Sequence, residues 1–414
     1  MRDAKAAATA SHAMHLVVPV ATRGPVAIAE PARIAPLDGV RGVAILLVVL
    51  HNTGAVSGAL SSFALKLWAS LVNPGWVGVQ LFFALSGFLI TRILLESKGA
   101  DGYFRRFYVR RALRIFPLYY AAIALVFFVA PHVSGLETLA ARGTRSSLWY
   151  WSYLANWVQP FGGLVPSLGH FWSLAVEEQF YIVWPALVLV LRERSLAILC
   201  AVMAIGALAV RFTFFLIYAP DTAGSAAYDF TIARCDALAL GALVAVLVRH
   251  PQTMVAVRRW AWRATLGIAA LLAVIFVRQR GFSSLELPVA TVGQTLLATL
   301  SALLVLLCVS PASDAATIRL QGAMSTPWLR SIGKYSYAIY VIHLPLSNVL
   351  RPHIAAQLAS GDATTRVDEY VAYVVAIFAL SYLLAVVSWN VIEQPFLELK
   401  KLVPMPTRGD ARAA

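Results

Sequence analysis

Three groups of residues in this chain could move a proton or hold an anion. The first lies on the apolar run from Pro36 to Asn52, with Arg41 near its entrance and His51 further along. On a helix the imidazole would sit about 15 Å deeper than the guanidinium. A neutral ring at that depth could take the proton of a hydroxyl as general base, while Arg41 meets an anionic ligand at the surface. The second group is the segment from Tyr103 to Arg114, five arginines interleaved with aromatic residues. Arg111 and Arg114 share a helix face with Arg110 nearby, and guanidinium pairs bidentately with phosphoryl oxygens, so this is a candidate phosphate clamp. The third group is His170, Ser173, Glu177 and Glu178. His170, Ser173 and Glu177 fall along one helix face, and a Glu177 carboxylate turned toward His51 would fix its tautomer and stabilise the imidazolium.

Each group also has a purely structural reading. Arg41 could anchor a helix at the interface, His51 could be a satisfied packing residue, and the arginine cluster could hold lipid headgroups. Ser86-Gly87 reads as a tight helix contact, since no base adjoins Ser86 in the sequence. Arg234 and Asp236 read as a buried structural pair, with each other or with other helices. His343, beside Pro345, reads equally as a packing histidine or as a ligand, and Glu393-Gln394-Pro395 as a helix stop.

The elements that must position these residues follow from composition. With 60% hydrophobic and 13% charged residues and a mean hydropathy of +0.73, the 414-residue chain carries more apolar surface than a soluble core could hide. The expected fold is all-α, a polytopic bundle of about ten transmembrane helices. Apolar runs long enough to span the bilayer fall near 38–60, 76–96, 113–131, 172–191, 195–218, 231–248, 264–279, 288–310, 335–350 and 371–392. Most lysines and arginines flank these runs on one side, which by the positive-inside rule places both termini in the cytoplasm; the expected location is the inner membrane, as a multi-pass chain. The net charge of +14 is therefore read as topology, with the lipid bilayer and not nucleic acid as partner. Cys200, Cys235 and Cys308 fall in or beside apolar runs without metal or disulfide spacing. Three regions are expected: a disordered cytoplasmic arm over 1–35, a transmembrane domain over 36–396, and a cytoplasmic tail over 397–414.

Taken in order, the motifs resemble the acyltransferase 3 family of integral membrane acyltransferases. The matching pieces are Leu37-Asp38-Gly39-Val40-Arg41-Gly42, Leu81-Phe82-Phe83 through Ser86-Gly87-Phe88-Leu89-Ile90-Thr91, and Phe107-Tyr108-Val109-Arg110-Arg111-Ala112-Leu113-Arg114-Ile115-Phe116-Pro117. Trp172-Ser173-Leu174 with Glu177-Glu178-Gln179-Phe180-Tyr181, the Arg234/Asp236 segment, Ser336-Tyr337 with His343-Leu344-Pro345, and Glu393-Gln394-Pro395 complete the series. The resemblance implies transfer of an acyl group, commonly acetyl, from cytoplasmic acyl-coenzyme A to a carbohydrate or glycolipid hydroxyl of the cell envelope, with no metal. It implies that Arg111 and Arg114, with Arg110 and Arg41, hold coenzyme A, and that His51 is the base. A transporter of glycans or small solutes and a non-catalytic acyl-coenzyme A sensor are the alternatives; oligomeric state is not legible.

One departure stands out. The family places ten residues between its arginine and histidine, whereas nine separate Arg41 from His51 and the family position is Asn52. At about 100° per residue, Arg41 and Asn52 lie within roughly 20° of each other, while Arg41 and His51 are roughly 80° apart. The expectation is that His51 still serves, as the sole histidine of this helix.

Overall fold

The computed structural model describes residues 34–54, 63–139, 144–163, 165–312, 314–360 and 363–403. Its helices are α1 (Ala35–Gly54), α2 (Phe63–Val72), α3 (Gly78–Glu96), α4 (Tyr103–Ala124), α5 (Thr144–Trp151), α6 (Ala155–Val158), α7 (Trp172–Val190) and α8 (Glu193–Ile217). They continue with α9 (Pro220–Asp229), α10 (Thr231–Leu247), α11 (Pro251–Gln279), α12 (Gln294–Val309), α13 (Ala315–Met324), α14 (Pro327–Lys334), α15 (Ser336–Ser360), α16 (Ala363–Ser388) and α17 (Gln394–Glu398). No strand occurs among the described residues. Nine helical stretches are long and apolar enough to cross a membrane among those residues, and α15 covers the tenth expected run. The chain is a multi-pass membrane protein. Of the expected arm over 1–35, residues 1–33 lie outside the described residues, as does the tail from 404.

Lipid offers little drive for helices to associate through apolar surface alone, so close packing relies on small residues and polar contacts. Glycines supply the first. A Cβ on Gly87 of α3 would come 1.9 Å from the Leu238 carbonyl oxygen, and one on Gly241 of α10 would come 2.0 Å from that of Ala84. At the basic end of α1, a Cβ on Gly39 would meet the Met324 carbonyl at 1.7 Å, and one on Gly333 would meet that of Asp38 at 1.8 Å. The α3–α10 crossing holds Ser86 in place, so Gly87→Val is expected to push the helices apart at a cost of about 3 kcal/mol. A reversible unfolding titration in mixed micelles checks this; an unchanged midpoint would show that the crossing relaxes freely.

A buried ion pair supplies the second kind of contact. Arg211 of α8 meets Asp236 of α10 at 2.9 Å with both side chains wholly enclosed. Arg211 also donates to the Ala233 carbonyl and to Thr295 of α12, tying three helices together. Of the two pairings the sequence left open for Arg234 and Asp236, with each other or with other helices, the structure shows the second for Asp236. Two residues apart on a helix, they point to different sides, and Asp236 meets the arginine of the neighbouring helix instead.

The segment between α4 and α7 folds back into α5, α6 and a 3-10 turn over Pro166–Phe171. Tyr119 donates to the Tyr150 carbonyl at 2.7 Å, and the Val165 amide donates to Tyr150 Oη at 3.1 Å. Gln179 of α7 donates to the Tyr153 carbonyl at 2.7 Å and to Asn156 Oδ1 at 2.8 Å. These contacts fix the start of α7 and hence His170, Ser173 and Glu177.

Candidate active site

Helices α1, α3, α4, α14 and α15, with the segment from Trp389 to Lys400 that includes α17, enclose a cavity of about 490 Å³ that opens at the basic end of the bundle. Its wall carries six arginines and two lysines, Arg41, Arg92, Arg106, Arg110, Arg111, Arg114, Lys334 and Lys400, against the carboxylates of Asp38 and Glu393. Its volume lies within the usual range for a ligand site. Past Arg41, Ser86, Arg111, Arg114, Ser336 and Tyr337, which line both parts, it runs inward into a narrower space of about 100 Å³. That inner end is walled by Val79, Phe82, Phe83 and Leu174 and by the polar Ser173, Glu177, Glu178 and Tyr340.

The first turns of α4 explain the mouth. Four of its five arginines, all but Arg105, line the cavity, because the 3.6-residue period brings 106, 110, 111 and 114 to one side. Arg114 is exposed to the cavity, with Arg41, Arg111 and Glu393 within electrostatic reach. Arg111 lies over the Tyr181 ring at 4.4 Å. Arg111 Nε and Arg106 Nη1 are buried and make no hydrogen bond. Arg110 donates to the Val403 carbonyl at 3.1 Å, and Arg41 approaches Asp38 at 3.4 Å. Arg106 and Arg111 line the cavity while Arg106 Nη1 and Arg111 Nε stay buried and unpaired, which is costly, and a phosphoryl group is an acceptor of matching charge for such a cluster of guanidinium groups.

The inner end holds a carboxylate under tight control. Glu177 accepts from Ser86 at 2.7 Å and from Tyr181 at 3.0 Å. It is therefore engaged by α3 and by its own helix, not by His51. The sequence suggests no base for Ser86, and the structure places a carboxylate acceptor on its hydroxyl from a residue 91 positions away. Ser173 and Tyr340 meet at 2.6 Å, and Tyr340 also donates to the His170 carbonyl at 2.7 Å, closing the inner end.

Arg41, Arg110, Arg111, Arg114 and Glu177 are thus brought to one cavity. His51 is not in its wall. Its ring approaches the carbonyls of Val72 and Asn73, its Cβ packs against Gly75, and its Nδ1 is buried without a hydrogen bond. Asn52 lies on the Arg41 side of α1, as the helical angle requires, and its Nδ2 meets His343 Nε2 at 3.1 Å. Sequence reasoning missed Lys334 and Lys400, whose only signal is a basic residue at a helix end. It also read Glu393 as a stop, whereas a π-helical turn over Trp389–Glu393 turns its side chain into the basic mouth.

Comparison with known proteins gives this architecture a family. The chain is 30% identical over 331 residues to a peptidoglycan O-acetyltransferase, OatA, of Listeria monocytogenes, covering 76% of this chain and 50% of that protein. It is 31% identical over 324 residues to a putative peptidoglycan O-acetyltransferase, YrhL, of Bacillus subtilis, covering 75% and 48%. A putative O-acetyltransferase of Staphylococcus aureus is 25% identical over 380 residues, covering 87% and 56%. The chain thus spans about half the length of these curated relatives. No solved structure matches it. The family model described as an acyltransferase domain matches residues 34–386, from the start of α1 into the last turn of α16, taking in most of the cavity wall, and the chain belongs to the acyltransferase 3 family.

Proposed function

We propose that the protein is a membrane O-acetyltransferase that takes an acetyl group from coenzyme A at its basic mouth, facing the cytoplasm, and delivers it to a hydroxyl of a cell-wall carbohydrate. One observation carries this reading. A single passage leads from a cluster of guanidinium groups, two with buried and unmet N–H, to an enclosed carboxylate and hydroxyl pair in the bundle interior. A donor with phosphates at one end and a reactive thioester at the other fits that gradient. Arg41, Arg110, Arg111 and Arg114 hold the phosphates, with Arg106 and Lys334 beside them. The thioester then reaches the narrow end near Ser86 and Glu177. There the Glu177 carboxylate accepts hydrogen bonds from the Ser86 and Tyr181 hydroxyls, which fixes these three polar side chains in the wall against which the thioester rests. The space of about 100 Å³ suits a short acyl group. The acceptor class comes from the relatives' names.

The full chain in lipid nanodiscs with acetyl-coenzyme A is expected to release free thiol with saturation, and deletion of the gene is expected to remove one alkali-labile acetyl ester from surface carbohydrate. Unchanged esters in the deletion, together with no thiol release by the purified protein, would reject the enzyme reading. They would return the chain to the transporter or sensor alternatives.

A further inference from the structure

The residue that the family pattern would make the proton acceptor is Asn52 in this chain, and the structure shows what that amide faces. Asn52 Nδ2 lies 3.1 Å from His343 Nε2. The other ring nitrogen, Nδ1, faces the carbonyl oxygens of Tyr340 at 2.7 Å and Ile339 at 3.1 Å. Carbonyl oxygens only accept, so Nδ1 carries a proton, and an amide N–H opposite Nε2 leaves that nitrogen with its lone pair. His343 is thereby held as the one neutral tautomer whose Nε2 can receive a proton. Turning the Asn52 amide over would present Oδ1 to Nε2–H, so the same residue can hold the ring after it has taken a proton. A carboxylate in that place would pin the charged form.

The position of His343 is equally specific. It is fully buried on α15, one turn beyond Tyr340, which lines the inner end of the cavity. The His170 ring lies 5.0 Å from it, and neither nitrogen of His170 makes a hydrogen bond. Asn52, His170 and His343 therefore form a packed polar cluster beside the inner end of the passage, with Ser173 and Tyr340, in contact at 2.6 Å, between them and its space.

Resting on the proposed acetyl transfer, we infer that His343 is the general base for the acceptor hydroxyl and that Asn52 is its positioning residue, in place of His51. When Ser173 and Tyr340 part, an acceptor hydroxyl admitted between them meets His343 on one side and the thioester on the other. Its oxygen bonds to the carbonyl carbon while its proton passes to Nε2, with the Asn52 amide giving way. The tetrahedral adduct collapses, the carbon–sulfur bond breaks, and the imidazolium returns its proton to the departing thiolate. One ester and one free thiol leave, and His343 is neutral again.

The test uses the full chain in nanodiscs with acetyl-coenzyme A and an N-acetylglucosamine tetramer as acceptor probe. It reads thiol release, whether the acetyl goes to the probe or to water, and donor binding by calorimetry. His343→Gln is expected to lower kcat by about 10²- to 10⁴-fold, the usual worth of a general base, with donor Kd within twofold of wild type. Asn52→Ala is expected to lower kcat about tenfold with an unchanged donor KM. Rates within fivefold of wild type in His343→Gln, or a loss confined to His51→Gln, would overturn the assignment. Loss of donor binding in both His343→Gln and Asn52→Ala would make the contact structural and overturn it too. Wild-type protein that releases no thiol sinks the acetyltransferase reading itself, a distinct result.

Discussion

Replacing Arg111 or Arg114 by alanine is expected to raise the Michaelis constant for acetyl-coenzyme A about 10- to 100-fold and to leave kcat within a few-fold. Hydrogen bonds between charged groups contribute about 1.5–3 kcal/mol each, and about 1.4 kcal/mol is tenfold in binding. Both side chains line the mouth and the inner space alike, so either loss is felt where the donor narrows toward its thioester. Lysine at these positions is expected to recover only part of the affinity, because an ammonium cannot reproduce the planar fork that grips a phosphoryl group. Arg105, on the same helix but outside the cavity wall, provides the contrast: its alanine variant is expected to behave as wild type. Steady-state kinetics over a range of donor concentrations separates these outcomes. An unchanged Michaelis constant in both Arg111→Ala and Arg114→Ala would move the donor site elsewhere.

The second large effect concerns folding. Asp236→Ala leaves the Arg211 guanidinium enclosed between helices with its carboxylate gone, and breaking one side of such a pair typically costs about 3–5 kcal/mol. The double variant Arg211→Met with Asp236→Leu removes both charges and fills similar space, so it is expected to recover most of that loss. Unfolding in mixed micelles measures each variant. Single and double variants that are equally unstable would show that the hydrogen bonds of Arg211 to the Ala233 carbonyl and Thr295, not the ion pair, hold α8, α10 and α12 together.

The contrast between the two arginines of this region shows where sequence reasoning stops. Arg234 and Asp236 lie two residues apart in the chain, yet Arg234 donates to Gln294 and lies among the rings of Phe83, Trp172 and Tyr228, at 5.5, 5.3 and 5.0 Å. Which arginine meets Asp236 depends on the rotation of α8 against α10, and a hydropathy pattern that is apolar almost all round a membrane helix carries little information about rotation.

The membrane helices, by contrast, were legible at once, because spanning about 30 Å of hydrocarbon demands a long apolar run and every backbone group must pair within it. Among the described residues, each of the ten expected runs overlaps a helix of the structure, residues 55–60 of the first lying outside them. The arginine face of α4 was legible for a related reason: residues three and four apart must share a side wherever a helix forms.

The sequence by itself therefore determined the helices, their apolar lengths and the basic cluster of Arg110, Arg111 and Arg114, since each is a local consequence of composition and helical period. It even held the angle that sets Asn52, not His51, on the side of Arg41. Only the tertiary structure decided what meets what. Ser86 finds Glu177, Asp236 finds Arg211, and Asn52 finds His343 across 291 residues of chain. Such contacts depend on the order and rotation of packed helices, which polar pairing and glycine crossings settle and which no local pattern records.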